Sequence, residues 1–128
     1  MYTPKAFVGS DPQAVESIIR ENSFATLILH SKDIFEVTHV PLLYRKNKLL
    51  GHVANANPVA KLMKKSPECL SIFHGPHCYV SPSWYESDSV PTWNYISVHV
   101  YGRPKVFENQ NENFGIANEV NVLENTHR

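Results

Sequence analysis

The stretch WNYISVHVYGRPKVF, residues 93–107, constrains the fold more than any other in the chain. Side chains on an extended strand point alternately to opposite faces, so a period of two reveals which residues are turned inward. Ile96, Val98 and Val100 fall on one side as a plain core face, whereas Trp93, Tyr95, Ser97, His99 and Tyr101 stand opposite. A face turned to bulk water more usually carries Lys, Glu and Thr. Large rings with polar tips suit a surface that meets a flat or partly polar object, either a cofactor or a second subunit.

Other segments supply partners for this strand. FATLILH (24–30) reads as a strand by its length and β-branched content, and the turn-like Ser31-Lys32-Asp33 separates it from a second strand, FEVTHVPLLY (35–44). Pro41 interrupts the ladder of that second strand, which implies an edge, a bulge or a place where something other than a strand lies alongside. Arg45–Lys48 makes a polar turn into LLGHVAN, so the second and third strands form a hairpin. CLSIFHG (69–75) is a fourth strand, and GPHCYVSPSWYESDSVP (75–91) reads as a long irregular connection.

The helices are short. Asp11-Pro12 followed by Val15, Ile18 and Ile19 predicts an amphipathic helix from about Asp11 to Glu21, and Asn57-Pro58 with Val59, Leu62 and Met63 predicts another that stops at Ser66-Pro67. Phe114, Ala117, Val120 and Leu123, three apart, predict a third helix within Asn111–His127. Strands joined mostly by hairpins, with helices at the ends, give a mainly β, α+β fold and favour a small antiparallel barrel, whose closure would remove exposed edges.

At 128 residues the chain fits one domain, 1–128, large enough to bury a core. Twelve basic residues balance twelve acidic ones, so no global field draws the protein toward nucleic acid or anionic lipid. There is no helix-turn-helix pattern and no basic recognition helix. With no apolar run of membrane-spanning or signal-peptide type, and only Cys69 and Cys78, the chain reads as a soluble cytoplasmic protein with reduced thiols.

THVPL (38–42), GHVANANP (51–58), FHGPHCYVSPSWY (73–85), VPTWNY (90–95) and VHVYG (98–102), with MYTPKAF at the start and ENSFATL, resemble in order the signature blocks of the PaiB-type FMN-binding negative transcriptional regulators of bacteria. The resemblance covers nearly the whole chain. It implies a split β-barrel of the flavin reductase and pyridoxamine phosphate oxidase type, and a homodimer with FMN in a cleft between two barrels. Matched block by block, it implies that Thr38, His39 and Val40 line the isoalloxazine, that His52, Ala54, Asn57 and Lys61 serve the ribityl-phosphate end, and that Trp93, Asn94 and Tyr95 close the pocket from the partner subunit. The family continues beyond the segment matching Asn113–His127 into further helical sequence and a final strand, so the chain is expected to be truncated relative to it. DNA binding is suggested by the family name alone.

Plainer readings stand beside these. The donors at Asn55, Asn57 and the helix after Pro58, with Lys61 one turn on, suit a phosphate but equally an ordinary helix cap. Cys69, His74, His77 and Cys78 form a C-x4-H-x2-H-C cluster without the spacing of common zinc modules; no metal is expected, and His77 is expected to order the aromatic loop by hydrogen bonds. His39, His52 and His99 could move protons or simply bond backbone carbonyls. The functional alternative to a flavin-binding regulator is a flavin-dependent oxidoreductase acting on a small substrate.

Overall fold

The computed structural model describes residues 8–9, 11–65, 67–84, 90–106 and 113–127, the first pair and the last segment as backbone only. Residues 1–7, 10, 66, 85–89, 107–112 and 128 lie outside the described residues.

Along the chain, β1 (Val8–Gly9) and α1 (Pro12–Glu21) precede β2 (Phe24–Ser31), β3 (Ile34–Pro41), β4 (Leu43–Arg45) and β5 (Lys48–His52). Then come α2 (Pro58–Met63), β6 (Cys69–Val80), a 3-10 turn at Pro82–Trp84, β7 (Thr92–Val106) and β8 (Asn113–His127). Every pairing is antiparallel, and the sheet runs β3-β2-β6-β7-β8-β5-β4, with β1 beside β8.

Local chemistry fixes the short elements. Asp11 accepts from the Gln13 amide at 3.0 Å and Pro12 opens α1; Asn57 accepts from the Val59 amide at 3.0 Å and Pro58 opens α2. The β4–β5 loop has Lys46 and Asn47 both left-handed (φ 50° and 62°), the backbone that lets a two-residue hairpin loop match strand twist. The Tyr44 hydroxyl donates to Asn47 Oδ1 at 2.8 Å and steadies that turn.

The inner face of the sheet carries Ala25, Leu27, Leu29, Val40, Leu49, Phe73, Val98 and Val100, and α1 and α2 close over it with Val15, Ile19, Val59 and Met63. Each large side chain withdrawn from water here contributes about 1.5–3 kcal/mol before entropy is counted. Parity on β7 follows the sequence reading for Val98 and Val100, which are buried, and for half-buried Ile96; Ser97, read on the opposite face, is buried too, and its hydroxyl donates to Phe73 O at 3.4 Å.

Pro41 ends β3 at the margin of the sheet, as an interrupted ladder implies. β3 and β4, the two ends of the sheet, are joined in the chain through buried Leu42, whose amide donates to Ser23 O at 2.9 Å. No ladder links β3 to β4, so the barrel stays open at this seam and β3 keeps an edge.

Two expectations are corrected. The connection after Gly75 is not irregular throughout: β6 continues to Val80, because beyond a bulge between His74 and His77 the segment His77–Val80 pairs with Thr92–Tyr95. The tail is a strand, not a helix. Phe114, Ile116, Val120 and Val122 share one parity, Gly115 and the asparagines disfavour helix, and β8 finds partners in both β5 and β7.

Candidate functional site

The bulge on β6 builds the most distinctive surface of the molecule. Before it, the even residues Leu70, Ile72 and His74 share the outer face; the extra residue switches parity, so His77 and Tyr79 face outward beside Tyr95 and Trp93. Gly75, within the bulge, lets β6 approach Ile96 closely, since a Cβ there would lie 3.1 Å from Ile96 O and 3.2 Å from Ile96 Cβ. Trp93 Nε1 donates to His77 Nδ1 at 3.2 Å, and the two rings stack at 28° with centroids 5.6 Å apart. Tyr79 touches Trp93 (6.2 Å) and Trp84 (6.4 Å), extending the rings into one wall. The wall is open: Trp84 is 69% exposed and Trp93 43%. His77 thus orders the aromatic segment by hydrogen bonding, as expected of it.

Asn94 sits opposite Cys78 on the other parity, and its side-chain oxygen is buried with no partner among the described residues. Such an acceptor costs about 1–3 kcal/mol unless a donor reaches it.

A second group of expected residues gathers around the start of α2. Asn57 Nδ2 donates to Thr38 Oγ1 at 3.0 Å while its Oδ1 caps the helix, so one side chain ties α2 to β3. The Val40 side chain is in the core, not on a face open to a ligand. His39 lies on the outer face, exposed, with Nδ1 3.2 Å from Thr26 Oγ1 and its ring against Phe24. His52, Ala54 and Lys61 are exposed.

The register separates these two groups within one chain. Thr38 pairs with Leu27, Leu27 with Ser71 and Ser71 with Val100, so Trp93 lies seven residues further along β7, roughly 23 Å at strand rise. Thr38 and Val40 also face inward where Trp93 and Tyr95 face outward.

His99 occupies the outer face between them, opposite Ile72, with Nδ1 buried and without a partner among the described residues. Burial foremost, with the amino-terminal charge and His74 adding to it, lowers its pKa below the ordinary 6.5. Burial likewise pushes the Cys69 thiol up to about 12, with Glu68 adding to it, whereas Cys78 is exposed. Among the described residues, no group of three or more His, Cys, Asp or Glu is placed to hold a metal.

Sequence reasoning alone did not pick out Thr26 or Tyr79. Thr26 is found only through its pairing with His39. Tyr79 was signalled by Gly75-Pro76 inside a strand pattern, the mark of a bulge that shifts parity.

A family model described as "Putative FMN-binding domain" matches residues 1–127. "Protease synthase and sporulation protein PAI 2" of Bacillus subtilis (strain 168) is 34% identical over 127 residues, covering 96% of this chain and 59% of that protein. The uncharacterized protein YKL070W of Saccharomyces cerevisiae is 28% identical over 85 residues, covering 59% of this chain and 50% of its own. The chain therefore spans between half and three-fifths of the length of these relatives. Among solved structures, a "putative 5-nitroimidazole antibiotic resistance protein" from Bacteroides thetaiotaomicron superposes with a TM-score of 0.74 at 12% identity, covering 90% of this chain and 84% of that one. The FAD and heme binding protein of Mycobacterium smegmatis follows at 0.70 and 10%, covering 91% and 72%. At such identities the structures establish the shared split-barrel fold.

Proposed function

The chain belongs to the FMN-binding domain family, whose cofactor is FMN, and from this premise we propose that two copies hold the flavin between them, each site taking its ring wall from one copy and its phosphate end from the other. The observation that carries the reading is the open wall of His77, Tyr79, Trp84 and Trp93 on an outer sheet face, set far along β7 from the Thr38–Asn57 pair.

The residues present fit the group. An isoalloxazine is a flat heterocycle, and the rings of the wall offer it stacking surface; the unpartnered Asn94 oxygen lies on the opposite face of β7 and is not part of that wall. Tyr95 stands beside Trp93 on the same face. At the other end, Asn57 and the exposed His52 and Lys61 supply amide and cationic donors for a ribityl phosphate, with the backbone at Ala54 beside them; Thr38, which the family match set against the ring with Val40, is bonded to Asn57 and so belongs to this end instead. His39, outward beside Thr26, borders the ring from β3. FMN, when bound, supplies one- and two-electron redox chemistry; the chain's own groups stack, orient and exclude water.

Homodimerisation is supported by the outer face of β2 and β3, where Phe24, Phe35 and Val37 are exposed beside half-buried Ile28. The reading places the protein in the cytoplasm, in keeping with two free cysteines; among the described residues no helix is long and apolar enough to cross a membrane. A regulatory role, suggested by the PaiB-type resemblance, would act through the bound flavin. α1 and α2 are separated by four strands and form no helix-turn-helix.

The test is a titration of purified protein with FMN, with Trp93→Ala and Asn57→Ala as variants. Stoichiometric binding by a dimer, weakened in both variants, supports the reading; failure to bind, or variants that bind like the parent, would sink it. Steady oxidation of NADH or NADPH with FMN bound would favour the oxidoreductase alternative over a binding module.

A further inference from the structure

We propose that His77 is a positioning residue that sets Trp93 against the flavin only while its imidazole is neutral, so that the chain's hold on FMN is gated by a proton at one side chain. The inference rests on the placement of the isoalloxazine against Trp93 proposed above.

An indole Nε1–H can only donate, so His77 Nδ1, 3.2 Å away, must present its lone pair and the ring proton must sit on Nε2. Adding a second proton places N–H against N–H. The bond is lost, and the two groups repel along the line that held them together. The stacked rings do not restore it, because the attraction of an imidazolium for an indole face acts normal to the ring and fixes no in-plane angle. Trp93 is 43% exposed, and among the described residues the other ring against it is Tyr79, at a tilt of 40°.

Among the described residues, the surroundings supply no counter-charge. From β6, His77 is flanked on its face by Tyr79 and, across the bulge, His74. From β7 it meets Tyr95 directly opposite and Trp93. On β8 the register places Asn125 beside Tyr95 and His127 beside Trp93. Among the described residues there is no carboxylate in this set to stabilise an imidazolium. Imidazoles as a class change charge between pH 5 and 8, within the range where a cell's pH can vary.

Two measurements test this. In a Trp84→Phe background, where Trp93 is the remaining tryptophan, apo-protein emission is followed from pH 8 to pH 5. FMN affinity is measured over the same range for the parent, His77→Asn and His77→Phe. The expected parent behaviour is a change in Trp93 emission and a fall in affinity of roughly tenfold, the loss of one hydrogen bond. Asn at 77 offers an acceptor that does not titrate, so it should restore tight binding at pH 5; Phe keeps a ring without an acceptor and should bind weakly at both ends. FMN phosphate itself titrates near pH 6, but equally for parent and variants, so the difference between their profiles isolates His77. An emission that does not move, or identical profiles for the parent and His77→Asn, would overturn the inference. Unweakened FMN binding by Trp93→Ala would instead overturn the flavin placement, and the emission titration would still report on the His77–Trp93 bond.

Discussion

At the scale of single residues, burial sets three expectations. Cys69, held protonated by a pKa pushed up to about 12, is a poor nucleophile, while Cys78 is exposed. A thiol reagent at neutral pH should therefore modify one cysteine in the native protein and two after denaturation; two native thiols would contradict the packing around Cys69. His99 has a pKa below the ordinary 6.5, chiefly through burial. The unfolded chain then takes up a proton that the folded one resists, so the stability contribution is complete above about pH 6.5 and declines as pH falls toward the folded value. The urea midpoint should drop between pH 7.5 and 5.5, and His99→Asn should flatten that drop. Gly75→Ala places a methyl 3.1 Å from Ile96 O, against backbone that cannot swing aside. An overpacking cost of about 1–3 kcal/mol should appear in denaturant unfolding.

Elements were legible in the sequence to the degree that local chemistry decides them. Asp11-Pro12 and Asn57-Pro58 mark both helix starts, because cap and proline act within one turn. Removing the Asn57 side chain deletes both the cap and the tie to Thr38, so Asn57→Ala should lower stability by about 1–2 kcal/mol, read from the denaturant midpoint. The alternation of Ile96, Val98 and Val100 in β7 was equally readable, since these residues share one inward face. β6 beyond Gly75 was not: His77–Val80 has turn-like neighbours and becomes strand only by pairing with Thr92–Tyr95. The tail carries two periods at once, Phe114/Ala117/Val120/Leu123 for a helix and Phe114/Ile116/Val120/Val122 for a strand. Partners on β5 and β7 decide between them, and such partners are invisible to a local window. The candidate site divides the same way. Its residue types stood out, but the parity switch that brings His77 and Tyr79 beside Trp93 depends on the bulge.

For the whole molecule, the outer face of the β2–β3 hairpin poses the largest energetic question. Phe35 is 68% exposed and Val37 51%, on a strand whose outer edge is also unpaired. A second copy related by a two-fold axis would cover the same patch on both partners. Val37→Lys should then give a folded monomer that binds FMN weakly, as seen by sedimentation and flavin titration. A sharper discrimination comes from mixing two damaged proteins. If every site takes Trp93 from one copy and Asn57 from the other, subunit exchange between Trp93→Ala and Asn57→Ala dimers creates heterodimers in which one site has both lesions and the other has none. About a quarter of all sites should regain parental affinity, the fraction that random pairing of two isologous subunits dictates. Were each site built within a single chain, every site in the mixture would keep one lesion and no tight binding would return, whatever the degree of exchange.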